Sequence, residues 1–287
     1  MLAGSGAQRE ELFRGISLGT HQMSYCLTEP GSGSDAVAMT TRSEPTRDGF
    51  VLSGTKRFIT NAGVSNAYTV FATRDPDLRA KGISAFLVHA DDPGVSFGKK
   101  EDKMGIRGSP TREVYLDRTE IPADRLIGEE GEGFAYAMRT LDYSRPTIAA
   151  QALGIAQGAF DVAARYANER RQFGKPIAHF EGIQFLLADM AMEVEAARLL
   201  VYRAAWLADQ NRPNNLEISI AKYTAAEAAA YAADAALRIL GAYGYSTEFP
   251  VERYYRDAKS YQIVEGSSNI QKLIIAQDAL GYRRANR

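Results

Sequence analysis

Gly31, Gly33 and Ala36, in the stretch TEPGSGSDA from Thr28 to Ala36, have the spacing G-x-G-x-x-A. That spacing can cradle a dinucleotide pyrophosphate when a strand enters the glycine turn and a helix leaves it, because the helix N-terminus supplies free N–H groups and a positive dipole end. The flanks meet only the first condition. Upstream, HQMSYCLT carries β-formers at Tyr25, Cys26, Leu27 and Thr28. Downstream, VAMTTRSEP and FVLSGTKRFIT are rich in Val, Thr, Phe and Ile, with TRDG between them as a turn, which is the pattern of a hairpin. Thr55 and Lys56 stand near the place, about 20 positions on, where a ribose-binding acid is wanted. The segment is not read as a nicotinamide site, and its glycines need another explanation.

Other reactive residue types are sparse. His21, His89 and His179 have no metal-ligand spacing, and the single Cys26 rules out an intrachain disulfide and reads as a buried thiol. Glu265 precedes Gly266, Ser267 and Ser268, which look like helix-start residues, so by type alone it is a glutamate favoured by a helix dipole. The 34 Lys and Arg against 35 Asp and Glu leave a net charge of −1, so no broad attraction to nucleic acid or an anionic membrane is indicated and an anionic ligand must be met locally. The N-terminal MLAGSGAQREELFRG lacks a basic region followed by an apolar core, and no window of about 18 uncharged apolar residues occurs. A cytoplasmic location, or another reducing compartment such as the mitochondrial matrix, is expected.

Two grammars divide the 287 residues. From about Ser24 to Leu116, short β-rich runs such as AYTVFAT, GISAFLV and REVYLD alternate with Gly, Pro, Asn and Asp clusters. From about Gly131, apolar residues recur at helical spacing, as at Phe185, Leu186, Met190, Val194, Leu199 and Leu200. Four main helices are expected, at about 131–170, 180–210, 216–240 and 267–281. The face TAAEAAAYAADAAL permits close helix approach, as core packing or an oligomer contact, while Glu227, Asp234 and Arg238 argue against a membrane span.

Several separated motifs then follow one another in order: YCLTEPGSGSD, GTKRFITNAG, KMGIRGSPTREVYLD, ERRQFGKPI, RILGAYGYSTEFPVERYYRDAK and IVEGSSNIQ. Together they resemble the acyl-CoA dehydrogenases, and the series covers nearly the whole chain. The resemblance implies an α+β multidomain protein: residues 1–20 as the remnant of an N-terminal helical domain, 21–125 as a middle antiparallel β-domain and 126–287 as a C-terminal four-helix bundle. It implies FAD as cofactor, α,β-dehydrogenation of an acyl-CoA thioester to a trans-2-enoyl-CoA, and an electron-transfer flavoprotein as electron acceptor. It also implies a homo-oligomer built as a dimer of dimers.

The resemblance makes Glu265 the base that takes the α-proton while the β-hydride leaves for flavin N5. A carboxylate suits this role because desolvation raises its proton affinity toward that of an activated α-carbon. The Glu265 backbone N–H is implied as a donor to the thioester oxygen. A second branch of the family carries its base at the position of Ser144, and a serine cannot serve as that base. Flavin contacts are implied at Tyr25, Leu27, Thr28, Gly33, Ser34, Phe58, Ile59 and Thr60. Arg170, Gln172, Phe173, Arg238, Gly241 and Ala242 are implied to reach the pyrophosphate and adenine of a neighbouring subunit's FAD, with Ser267 and Asn269 also at the cofactor. Ser34, Asp142, Arg145 and Gly266 match the acyl-CoA path; an Arg145–Asp142 structural pair is an equally plain account of those two.

The chain departs from the family pattern in four ways. It opens where the N-terminal helical domain of the family ends, which suggests a fragment, a partner-supplied wall or an open site. Val264 replaces the aromatic residue that precedes the base, Arg238 and Ala242 replace the usual Gln and second Gly, and Phe58 replaces the common Trp. Other readings consistent with the residues are an acyl-CoA oxidase and a truncated, catalytically weak flavin-binding subunit that assembles with a full-length homologue.

Overall fold

The computed structural model describes residues 3–210, 212 and 214–282. They form two compact units: residues 3–103 with 107–140, and residues 104–106 with 141–282. The division falls differently from the expected 125/126 boundary. Residues 126–140 belong with the β-rich unit, and the short segment Met104–Ile106 belongs with the helical one.

The first unit is built on an eight-stranded sheet. Its strands are β1 (Met23–Cys26), β2 (Arg42–Pro45), β3 (Gly49–Thr60), β4 (Ala67–Thr73), β5 (Ile83–His89), β6 (Val95–Phe97), β7 (Thr111–Pro122) and β8 (Leu126–Ile127). The order is β6-β7-β3-β2-β4-β5-β8, with β1 also paired to β4. Pairing is antiparallel except that β1 and β2 each run parallel to β4. The expected hairpin is present: β2 and β3 pair with Pro45 opposite Phe50, and Thr46 N–H donates to the Gly49 carbonyl at 2.8 Å across the TRDG turn. One face is filled by Cys26, Leu52, Ile59, Tyr68, Val70, Phe86, Val88, Val114 and Ile121. Helix α1 (Gly6–Ser17) opens with a capping box between Ser5 and Gln8, and the buried Gln8 amide donates to the carbonyls of Asp124 and Leu126.

The second unit is helical. Helix α2 (Gly133–Glu169) enters it at residue 141, followed by the hairpin of β9 (Arg171–Gln172) and β10 (Lys175–Pro176) and by α3 (Glu181–Asp209) and α4 (Asn215–Leu240). Next come α5 (Ala242–Tyr245), α6 (Val251–Tyr261) and α7 (Ser268–Ala279). The alanines of α4 are core: Ala221, Ala225, Ala228, Ala229, Ala232, Ala235 and Ala236 are fully buried, and α3, α6 and α7 pack on this helix. The four expected helices are found, but α6 was not among them. VERYYRDAKSY is short and mostly charged and aromatic; its apolar side, Val251, Ala258 and Tyr261, keeps a helical period but carries few aliphatic residues. This helix holds Met104–Ile106: Asp257 Oδ1 accepts from the Ile106 N–H at 2.6 Å, and Arg256 donates to the Met104 carbonyl. Gly105 is required there, since a Cβ would lie 2.3 Å from the Arg256 carbonyl oxygen.

Candidate active site

Glu265 lies in the turn between α6 and α7, with φ at +52° and Gly266 following at +91°. A positive φ is costly for a non-glycine residue, so the surrounding groups must hold it. Three side chains do so through the backbone. Arg145 Nε donates to the Glu265 carbonyl at 3.1 Å, Lys222 Nζ to the Gly266 carbonyl at 2.8 Å, and Gln271 Nε2 to the same carbonyl at 2.9 Å. Both cations are buried, Arg145 at 6% exposure and Lys222 at 0%. A Cβ on Gly266 would meet the Gln271 amide at 2.7 Å, so the glycine answers to both conformation and space.

The Glu265 carboxylate is half-buried, and its Oε2 accepts from the Ser144 hydroxyl at 2.6 Å. Burial pushes its pKa above the ordinary carboxylate value, against the Ser144 hydrogen bond and the nearby charges of Arg145 and Lys222. Desolvation and the Arg145 charge lower the Lys222 pKa to about 8, opposed by Glu265 and Glu227. Glu227 in turn accepts from Gln262 at 2.7 Å and from Ser268 at 2.8 Å, so α4 fixes the turn from both sides. Among the described residues the Glu265 N–H donates to no acceptor. Ser267 takes the N-cap position of α7 without a side-chain cap bond, which differs from its plain reading as a capping serine.

Asp142, Ser144 and Arg145 share one turn of α2. Pro146 sits inside this helix and cannot supply the N–H that would bond the Asp142 carbonyl, so a rung of the helix is lost at this turn. Arg145 and Asp142 form the expected pair at 3.4 Å, and with its amide nitrogen facing the carboxylate Asn215 donates to both Asp142 oxygens at 3.0 Å. Sequence reasoning passed over Lys222 and Gln271. Their only signal is a polar residue at an otherwise apolar helix position, which is the mark of a buried polar group.

In the first unit, β1 runs into the TEPGSGSD loop, and only the single 3-10 turn Ala36–Ala38 follows the glycines. A pyrophosphate cradle on a helix N-terminus is absent here. Neither Gly31 nor Gly33 has a positive φ, and a Cβ on either would meet nothing within 4 Å. The chain itself gives no reason for these glycines, whereas a flat group laid against the backbone would.

The loop is anchored by a pair the sequence did not announce. Lys56 Nζ meets Glu29 Oε1 at 2.8 Å, both side chains almost wholly buried, and Glu29 also accepts from the N–H and hydroxyl of Thr40 and the N–H of Thr41. Burial works against the charge on Glu29, yet Lys56 and these donors hold its pKa down at about 2. Beside Lys56, the β3–β7 register shifts between Lys56 and Ile59. The bulge leaves Phe58 at φ +58° and 58% exposed. Thr28, Ser34 and Thr60 are partly or fully exposed, while Leu27 and Ile59 turn their side chains into the core and offer only backbone.

In the second unit a cleft of about 650 Å³ is lined by Arg170, Gln172, Phe173, Arg238 and Ala242, together with Tyr166, Ile183, Leu186 and Tyr243. Five predicted positions thus meet on one surface. The β9–β10 turn has positive φ at both Phe173 and Gly174, which suits a two-residue hairpin and displays the Phe173 ring at 92% exposure. Arg170 lies over the Tyr243 ring at 5.4 Å. Gly241 has φ +60° with open space about its Cβ position.

His89, Asp91 and Asp92 bring their ligating atoms within 4.8 Å of one another, a cluster that sequence spacing did not suggest. Its members have other partners: Arg125 holds Asp92 at 2.6 Å and Glu11 meets His89 at 3.1 Å. Among the described residues no helix is long and apolar enough to cross a membrane.

Residues 131–280 match the family described as acyl-CoA dehydrogenase, C-terminal domain, and residues 24–119 match acyl-CoA dehydrogenase, middle domain. The probable acyl-CoA dehydrogenase fadE25 of Mycobacterium leprae is 49% identical over 281 residues, covering 98% of this chain and 72% of that one. The mitochondrial short-chain specific acyl-CoA dehydrogenase of Homo sapiens is also 49% identical, covering 98% and 68%. The structure of butyryl-CoA dehydrogenase from Megasphaera elsdenii superposes with a TM-score of 0.95 at 44% identity, covering 97% of this chain and 73% of that one. On these matches and this fold, the chain belongs to the acyl-CoA dehydrogenase family, oxidoreductases whose members are FAD flavoproteins.

Proposed function

We propose that the chain dehydrogenates an acyl-CoA thioester between Cα and Cβ to give the trans-2-enoyl-CoA, with Glu265 as the base. The observation that carries this reading is the glutamate itself. Its carboxylate is half-buried, its proton affinity is raised by that burial, and its strained backbone is held by Arg145, Lys222 and Gln271. A base for a carbon acid must be strong yet ionised before reaction; burial supplies the proton affinity, and the Ser144 hydrogen bond with the charges of Arg145 and Lys222 favours the ionised form. The α C–H electrons become the new π bond as the proton passes to Glu265, and the β C–H electrons leave as hydride. The acyl chain is oxidised by two electrons. Bound FAD supplies the acceptor for that hydride. The Glu265 N–H is the donor assigned to the thioester oxygen, where a fixed dipole meets developing negative charge.

For the first unit, Tyr25, Leu27, Thr28, Gly33, Ser34, Phe58, Ile59 and Thr60 are the residues we assign to the isoalloxazine. The open space above Gly31 and Gly33 and the outward turn of Phe58 support that fit. For the second unit, Arg170, Gln172, Phe173, Arg238, Gly241 and Ala242 are assigned to the pyrophosphate and adenine of FAD held by a second copy of the chain, and Ser267 and Asn269 to FAD. The cleft supports this assignment, with two guanidinium groups beside exposed aromatic rings. Ser34, Asp142, Arg145 and Gly266 are assigned to the acyl-CoA. A homo-oligomer fits the exposed α3 stripe of Phe185, Met192, Leu199 and Trp206, seven residues apart along one helix face. An electron-transfer flavoprotein is the proposed electron acceptor.

The test is anaerobic addition of butyryl-, octanoyl- and glutaryl-CoA to the FAD-loaded protein while the visible flavin band is followed. Loss of the band in the wild type but not in Glu265→Gln supports the proposal. A yellow protein that none of the three bleaches contradicts it and favours a flavin-binding subunit. Rapid reoxidation by oxygen would identify an oxidase instead.

A further inference from the structure

Within that reading of Glu265 as the base, the geometry points to Ser144 as its positioning residue: the hydroxyl on α2 holds the carboxylate in place and sets how readily it takes up a proton. The charged groups near Glu265 direct hydrogen bonds to the backbone of the turn and to neighbouring polar groups. From α2, Arg145 directs Nε to the Glu265 carbonyl and Nη1 to Asp142. From α4, Lys222 donates to the Gly266 carbonyl, and Glu227 accepts from Gln262 and Ser268. From α7, the neutral Gln271 also donates to Gly266.

The carboxylate is met by Ser144, whose Oγ lies 2.6 Å from Glu265 Oε2, in the short range of a hydroxyl bonded to an anionic oxygen. A serine hydroxyl has one proton to donate. Its alternative acceptor within the helix, the Leu141 carbonyl, is 3.4 Å away, so the proton faces the glutamate. A donor to the ionised form favours that form, and this hydrogen bond opposes the burial that raises the Glu265 pKa. The longer-range charges of Arg145 and Lys222 add to it.

The test compares holoenzyme carrying Ser144→Ala, Ser144→Thr and, as control, Thr147→Ala, whose hydroxyl is exposed and donates to the Ser144 carbonyl. Two quantities are read against pH: the infrared carboxyl band assigned by its loss in Glu265→Gln, and kcat/KM for butyryl-CoA. With Ser144→Ala the carboxyl midpoint and the acid limb should both move up by about one unit, the size of one hydrogen bond to a charged group. Ser144→Thr should restore both, and Thr147→Ala should move neither. Alanine is a better helix former than serine, so loss of fold is not expected, and Ser144→Thr reads the same quantities in any case. An unmoved carboxyl midpoint in Ser144→Ala overturns the inference, as does an equal shift in Thr147→Ala. A moved midpoint with an unmoved acid limb upholds the role of the hydroxyl and instead removes Glu265 as the base.

Discussion

Lys222 Nζ donates to the carbonyl of Gly266 at 2.8 Å, so a fully buried cation on α4 fixes the peptide that follows the glutamate. The bond has a cost in desolvation that can be read in solution. Lys222 carries a pKa of about 8 in the fold against 10.5 as a free side chain.

Between those two values the unfolded chain binds a proton that the folded chain has released, so the Lys222 contribution to stability rises with pH across that window and is flat below it. In Lys222→Met this slope is gone. The wild type should therefore gain on the order of 3 kcal/mol relative to Lys222→Met between pH 7.5 and 10.5, as measured by urea unfolding. Parallel stabilities across that range would mean that the amine is not desolvated.

The Lys56–Glu29 pair makes the opposite kind of prediction. Lys56→Met leaves a carboxylate buried without its counter-ion and should cost about 3–5 kcal/mol at neutral pH. Glu29 has a folded pKa of about 2 against 4.5 as a free side chain, so its contribution is intact above pH 4.5 and is lost as pH falls toward 2. Lys56→Met with Glu29→Gln together should lose far less than Lys56→Met alone. Equal losses would show that the lysine acts by packing only.

Gly33 separates fold from ligand. Its φ is ordinary and the space about its Cβ position is open, so Gly33→Val should leave the unfolding free energy of the FAD-free chain within about 0.5 kcal/mol. FAD dissociation, followed by flavin fluorescence, should weaken by tenfold or more, about 1.4 kcal/mol. Unchanged FAD affinity would remove this loop from the flavin site.

Arg170 lies over Tyr243 in the cleft of the second unit. Arg170→Ala should release FAD and shift the oligomer toward smaller species at low protein concentration, read by light scattering with and without added FAD. Looser FAD binding with no dependence on protein concentration would contradict a site shared between copies.

Much of this was legible in the sequence. The β2–β3 hairpin was marked by TRDG, the long helices by their apolar period, and the Glu265 turn by its motif. What was not legible depends on pairs far apart in the chain. Lys56 and Glu29 are separated by 27 residues and Lys222 and Gly266 by 44, and nothing local tells a buried lysine from a solvated one. Ser144 could be read as unable to be the base, but not as the hydroxyl that the base leans on. The glycines of TEPGSGSDA matched a pyrophosphate cradle in spacing alone; the hairpin pattern downstream already argued against it, and the fold agrees, with a single 3-10 turn where the helix would start and open space where their Cβ atoms would stand.

Exchange at the α-carbon tests Glu265 most directly. FAD-loaded protein is incubated anaerobically with butyryl-CoA in D2O, and loss of the α-proton signal is followed by NMR. Wild type should exchange the α-position, and Glu265→Gln should slow this by a factor of about 10³ or more while still binding the thioester. Exchange at the wild-type rate in Glu265→Gln would contradict Glu265 as the base.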